Sequence, residues 1–141
     1  MFAMGDQKLA ALLREVKTIA VVGAKDAPSQ PVDRVGRYLI AAGYEVIPVH
    51  PKRTNVWGLA TYARLADVPK PIDMVNLFRA AQFCPEHARE VLALPRKPLA
   101  FWMQLGISSP EARAILEPAG IAVIEDSCSM VEHQRLLGKS I

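Results

Sequence analysis

Short apolar runs alternating with stretches of helical spacing constrain this chain more than any other feature. Thr18-Ile19-Ala20-Val21-Val22 is rich in β-branched residues, lacks polar alternation and stops at Gly23, the pattern of a strand buried on both faces. Similar runs return at Tyr44 to Val49, Ile72 to Phe78, Leu99 to Met103 and Ile121 to Ile124. Between them lie helical patterns. One runs from about Val32 to Ala42, with Val35, Leu39 and Ile40 on one face and Gly43 as its stop. A second runs from Pro85 to Leu94, and a third from Pro110 to Ala119, with Ser109 as N-cap and Gly120 as terminator. Pro48 has no N–H, so it belongs at a strand end or at a locally unpaired position.

Strands separated by helices of about ten residues require right-handed βαβ crossovers, and these give a parallel sheet covered on both faces. The fold class is therefore α/β, a doubly wound, five-stranded parallel sheet in three layers. Leu9, Leu12, Leu13 and Val16 put an amphipathic helix, residues 6–16, ahead of the first strand, and Met130 to Leu137 can form a last short helix. Val56 to Tyr62 reads as a short extended piece. A chain of 141 residues is the size of one domain, so residues 1–141 are expected to form a single unit.

Composition mainly excludes. Hydrophobic residues make up 51% and charged residues 22%, which is incompatible with disorder. The net charge of +3 is scattered, with no basic run longer than Lys52-Arg53, so a nucleic-acid surface is not expected. No apolar run approaches the ~18 residues of a membrane span. Cys84 and Cys128 stand in no metal-ligand spacing, and a chain this size needs no disulfide; the expected compartment is the cytoplasm.

In doubly wound sheets the ligand lies beyond the carboxyl ends of the strands, near the point where strand order reverses. After the first strand come Gly23-Ala24-Lys25-Asp26-Ala27-Pro28, leading to a helix start that offers unpaired N–H groups to a phosphate. The second strand ends in His50-Pro51-Lys52-Arg53, where an NAD-binding domain would place an acid for the ribose hydroxyls. Two adjacent cations suit a further phosphate on the ribose, as in coenzyme A or NADP. Arg79, just past a buried strand, needs a partner or a ligand. Phe78 beside it and Trp102 are core aromatics or ligand contacts. Gln104 could hydrogen-bond a base or an amide, and Gly106 permits close backbone approach.

Taken together, IAVVGA at Ile19, VGRYLIAAGYEVIPVHP at Val35, GLATYARLADVP at Gly58, IDMVNLFR at Ile72, FWMQLGI at Phe101 and the stretch around Cys128 resemble the small CoA-binding protein family. These are single-domain relatives of the N-terminal CoA-binding domain of the succinyl-CoA synthetase alpha subunit, with a Rossmann-like fold. The resemblance runs from about Ile19 to Leu136. It implies that Gly23, Ala24, Lys25 and Pro28 border the CoA diphosphate. Lys52 or Arg53 would face the nucleotide phosphate, and Phe78, Arg79, Met103 and Gln104 would line the pocket. Lys25, Gln30 and Asp33 stand where serine, arginine and serine are expected, and Asp33 would repel a phosphate unless it points away or binds a lysine.

The synthetase carries its phosphorylated histidine in a second domain, which has no counterpart in this sequence. His50, His87 and His133 are dispersed, with no partner evident for His87 or His133, and no third group is specified for a Cys84 or Cys128 nucleophile. The function expected is binding of coenzyme A or an acyl-CoA without catalysis, with no nucleic acid or membrane partner. The alternatives are an NADP-dependent oxidoreductase and a nucleotide-sensing interaction module.

Overall fold

A computed structural model describes residues 4–138. Helix α1 (Asp6–Glu15) leads to strand β1 (Thr18–Val22), α2 (Pro31–Ala41) and β2 (Glu45–Val49). Then come β3 (Met74–Leu77), α3 (Cys84–Leu92), β4 (Ala100–Met103), α4 (Pro110–Leu116), β5 (Ala122–Ile124) and α5 (Ser129–Leu136). The strands form one five-stranded sheet in the order β2-β1-β3-β4-β5, every pair parallel. It is the doubly wound α/β sheet that the alternation requires.

Residues alternate between the two faces of each strand, so both faces acquire a core. On one side Ile19, Val21, Met74 and Trp102 pack with Leu9 and Leu13 of α1 and Val35 and Leu39 of α2. On the other, Ala20, Val22, Val75, Leu77, Phe101 and Met103 pack with Ala88 and Val91 of α3 and Ala112 and Leu116 of α4. Among the described residues no helix is long and apolar enough to cross a membrane.

Local chemistry sets the ends of the elements. Ser109 Oγ accepts the Ala112 N–H at 3.1 Å and Pro110 occupies the first helical turn, as the sequence predicts. Past Leu116 the helix tightens into a 3₁₀ turn, Glu117–Ala119, which ends at Gly120 with φ of 82°. Pro48 pairs with Val21 inside the edge strand β2, and its carbonyl accepts from Tyr62 N on the outer side. The missing N–H thus falls on the edge, where the sheet ladder does not use it.

The expected extended piece, Val56 to Tyr62, is a correction. Val56–Gly58 is a 3₁₀ turn; Asn55 just before it and Trp57 within it have positive φ, 52° and 55°, and only Tyr62 bridges to Val49. The turn is fixed from outside. The Trp57 indole Nε1 donates to Asp33 Oδ1 at 2.9 Å, and its ring lies on α2 over Gly36, where a Cβ would come within 2.1 Å of it.

Candidate functional site

Strand order reverses at β1, which has β2 on one side and β3 on the other. Two consecutive segments therefore leave the sheet in opposite directions and open a crevice at its carboxyl end. Gly23 makes the crevice possible. Its φ is 86°, its N–H donates to Val49 O at 2.9 Å, and a Cβ there would lie 2.5 Å from the Phe78 carbonyl oxygen. Only glycine lets the chain leave β1 this close to the end of β3.

Beyond the turn lies a cleft of about 510 Å³ between the ends of β1 and β2, with α3 as its far wall. Lys25, His50, Lys52, Phe78 and Arg79 line it, together with Arg64 and with Glu86, His87 and Glu90 of α3. A second, shallower cleft of about 300 Å³ shares Gly23, Lys25, Phe78 and Arg79 and continues past Pro31 and Val32, at the start of α2, to Ala80 and Ile107. The two form one bent channel. Its β2 side is cationic, while its β4 side carries no acid.

Another cavity, of about 350 Å³ beside β5, is lined by arginines that already have partners. Arg113 meets Glu125 at 2.9 Å and Arg135 meets Asp6 at 2.8 Å. It has little cationic charge left to offer a ligand.

At the end of β2, His50 Nδ1 accepts the backbone N–H groups of Lys52 and Arg53 at 3.0 and 3.1 Å, which leaves Nε2 to carry the proton. Burial, then Arg53, Lys25, Arg79 and Lys52, hold its pKa below the ordinary imidazole value. The ring is a neutral staple that points the following cationic turn at the cleft. Arg79 leaves β3 half-buried; its Nε donates to His87 Nε2 at 3.4 Å and its guanidinium lies 4.3 Å from the centre of the Phe83 ring.

The structure brings Gly23, Lys25, Lys52, Phe78 and Arg79 together at the channel. Ala24 is buried behind the turn, and Pro28 is exposed on the loop away from both clefts. Lys52 lines the cleft, while Arg53 turns to Asp26 at 3.4 Å. Met103 and Gln104 lie elsewhere. Met103 is fully buried in the core on the α3 and α4 side. Gln104 is buried and tied to Ser129, donating to Oγ at 3.0 Å and accepting from N at 3.2 Å. Trp102 is a core residue with its indole N–H on Ser127 O at 2.8 Å.

Asp33 is turned to Trp57 and Arg37 and lines neither cleft. It is 3% exposed and accepts from Trp57 and from Arg37 Nε, the latter at 3.0 Å. Burial works against its ionisation, but those two donors outweigh it and hold the carboxyl below the usual carboxylate range. Two histidines also acquire partners that the sequence does not reveal. His87 Nδ1 lies 2.6 Å from Glu90 Oε1, and His133 Nδ1 lies 2.6 Å from the Tyr38 hydroxyl. His50, His87 and Ile107 are channel residues missed by the sequence reading. Each sits one to ten positions beyond a strand end, a signal that strand ends alone leave diffuse.

Fold and channel together define a doubly wound α/β domain with a cationic ligand crevice at its switch point. The family described as CoA binding domain matches residues 17–134, and the chain belongs to that family. YneT, an uncharacterized protein of Bacillus subtilis, is 37% identical over 122 residues, 86% of this chain and 89% of its own length. The solved structure of cell-free ID.343 from Thermus thermophilus is 44% identical, with a TM-score of 0.89, covering 95% of this chain and all of that one. A dinucleotide forming acetyl-coenzyme A synthetase 1 of Ca. Korarchaeum cryptofilum shares the fold at 22% identity and a TM-score of 0.66, over 79% of this chain and 27% of the synthetase chain.

Proposed function

We propose that this chain binds coenzyme A, free or as an acyl thioester, along the bent channel and does so without chemistry of its own. The observation that carries the reading is the convergence of Lys25, Lys52 and Arg79 around the Gly23 turn. The donor set fits the ligand. Coenzyme A offers three phosphoryl groups, which call for cations and helix-start N–H groups, and a neutral arm ending in sulfur, which calls for a passage without acids. Lys52 would serve the ribose phosphate, Lys25 and Arg79 the diphosphate, and Val32, Ala80 and Ile107 the arm.

Support for binding over catalysis comes from Cys84. Cys84 is buried, and burial first, then Glu125, push its thiol up to about 11 against a smaller opposing effect of Arg79. It is protonated at neutral pH and unreactive. Among the described residues no cluster of His, Cys, Asp and Glu has the form of a metal site.

The test is direct. Purified protein is denatured, any released nucleotide is identified by mass spectrometry, and thermal shifts are recorded with CoA, dephospho-CoA and NADP. CoA should raise the melting temperature, and Lys52→Ala should weaken CoA about tenfold while leaving dephospho-CoA nearly unchanged, the loss of one charge-assisted contact. Recovery of NADP with no shift on adding CoA would overturn the reading. Equal losses for both CoA forms would remove Lys52 from the ribose phosphate.

A further inference from the structure

Arg79 is a half-buried cation at the junction of the two clefts, yet no carboxylate of the described residues lies within ion-pair distance of it. A carboxylate would neutralise the guanidinium. What holds it is an imidazole and a ring: the Nε–H points at His87 Nε2, 3.4 Å away, and the guanidinium carbon lies over the Phe83 ring. His87 is in turn held by Glu90, whose Oε1 is 2.6 Å from Nδ1. One tautomer satisfies both bonds, with the proton on Nδ1 donated to Glu90 and the Nε2 lone pair accepting from Arg79.

Resting on the CoA-binding reading, we propose that His87, oriented by Glu90, is a positioning residue that aims Arg79 at the ligand diphosphate. The relay spends Nε of Arg79 and leaves the two terminal nitrogens, the pair suited to bidentate contact with a phosphoryl group, with no hydrogen bond to a described residue. It also preserves the full positive charge. The carboxylate that orders the relay does so through the imidazole and does not bond the guanidinium itself. Glu86 on α3, Lys25 after β1, His50 and Lys52 after β2 and Arg64 are the other charged or titratable groups lining the cleft, and the Cys84 thiol at the start of α3 also feels the guanidinium.

This role differs from that assigned to Lys52. A ribose phosphate contact separates CoA from dephospho-CoA, whereas a diphosphate contact serves both. Calorimetric titration of the full chain with both ligands therefore tests it. His87→Phe should weaken CoA and dephospho-CoA alike, by about tenfold, because it fills the space but cannot accept from Arg79. His87→Gln, whose amide oxygen can accept that N–H, should recover most of the affinity. Arg79→Ala should weaken both ligands at least as much, and the double variant Arg79→Ala with His87→Phe should be no worse than Arg79→Ala alone.

The relay is refuted if His87→Phe binds both ligands like the parent, if Gln and Phe at position 87 behave alike, or if the two losses multiply in the double variant. Melting temperatures of the unliganded variants identify any that fail to fold, in which case the Gln variant and Glu90→Gln carry the comparison. A parent protein that binds neither ligand overturns the CoA reading as well. A parent that binds CoA with an unaffected Arg79→Ala variant overturns the relay alone.

Discussion

The two ends of the sheet treat charge in opposite ways. At the amino end, Asp73 in the loop before β3 closes the structure on itself. Its Oδ2 accepts from Lys17 N at 2.8 Å and Thr18 N at 3.1 Å, and its Oδ1 meets Arg96 at 2.5 Å. Its own N–H donates to Thr18 O at 3.0 Å and its carbonyl accepts from Leu99 N at 2.7 Å. One residue thus ties β1, β3 and the entry to β4. At the carboxyl end, Lys25, Lys52 and Arg79 face a cleft and have no carboxylate partner among the described residues. The same sheet is bonded shut where its strands begin and left cationic where they end. Substitutions at the first end should therefore cost stability, and those at the second should cost ligand affinity.

Gly23→Ala breaks that division and should have the largest effect. The new Cβ would meet the Phe78 carbonyl at 2.5 Å with φ at 86°, so the cost includes a left-handed conformation and an overlap with main chain. Together these should destabilise the fold by about 2 kcal/mol or more, lowering the melting temperature by roughly 5 °C or more, and should also displace Phe78 and Arg79. A folded variant with the parent's melting temperature would show that the turn has room the geometry denies it.

Asp73→Ala keeps to the division and comes second. It removes the acceptor for two main-chain donors and the partner of Arg96, at a cost of about 1–3 kcal/mol, moderated because Lys17 N can turn to water. Thermal unfolding should show the loss. CoA affinity of the protein that remains folded should stay within about twofold of the parent, since Asp73 lies at the opposite end of the sheet. A large loss of affinity without loss of stability would reverse the assignment of the two ends.

The sequence makes the frame legible because each part of it is local. The run Thr18 to Val22, the stop at Gly23 and the pair Ser109-Pro110 fix β1, its turn and the start of α4 from adjacent residues alone. The site is harder. Asp33 is recognisable as an acid in the wrong place, but its answer, the Trp57 indole, lies 24 positions away in a left-handed turn that local pattern reads as extended. Gln104 reads as a ligand group at a strand end, and its commitment to Ser129, 25 positions on, exists only once α5 docks. Lys52 and Arg53 are equivalent by composition; only the Arg53 contact with Asp26, 27 positions away, and the Lys52 place on the cleft wall tell them apart. Polar side chains at strand ends are legible as candidates, and tertiary pairing decides which remain available.

His133 tests whether acid sensitivity belongs to the cationic end alone, and its effect should be the smallest. It sits on α5, away from the cleft, with Nδ1 on the Tyr38 hydroxyl and its ring edge-on to Tyr38 and Tyr44 at 5.4 and 5.6 Å. Burial holds its pKa below the ordinary 6.5. A base whose folded pKa is lowered contributes stability that is complete above 6.5 and is lost as pH falls through the window down to the folded value, because the unfolded chain binds the proton more readily. His50 has the same sign, from burial and the four cations beside it. The two can be separated. Phosphate groups bound beside His50 would offset the cations that oppose its protonation but not its burial, so saturating CoA should reduce its share of the acid loss and leave that of His133 unchanged. Melting temperatures at about pH 7.5 and about pH 5, with and without CoA, should therefore show a residual acid loss in the liganded parent that is reduced in His133→Phe. An acid loss that vanishes entirely on adding CoA would place all of it at the cleft and leave the contact between α2 and α5 insensitive to pH.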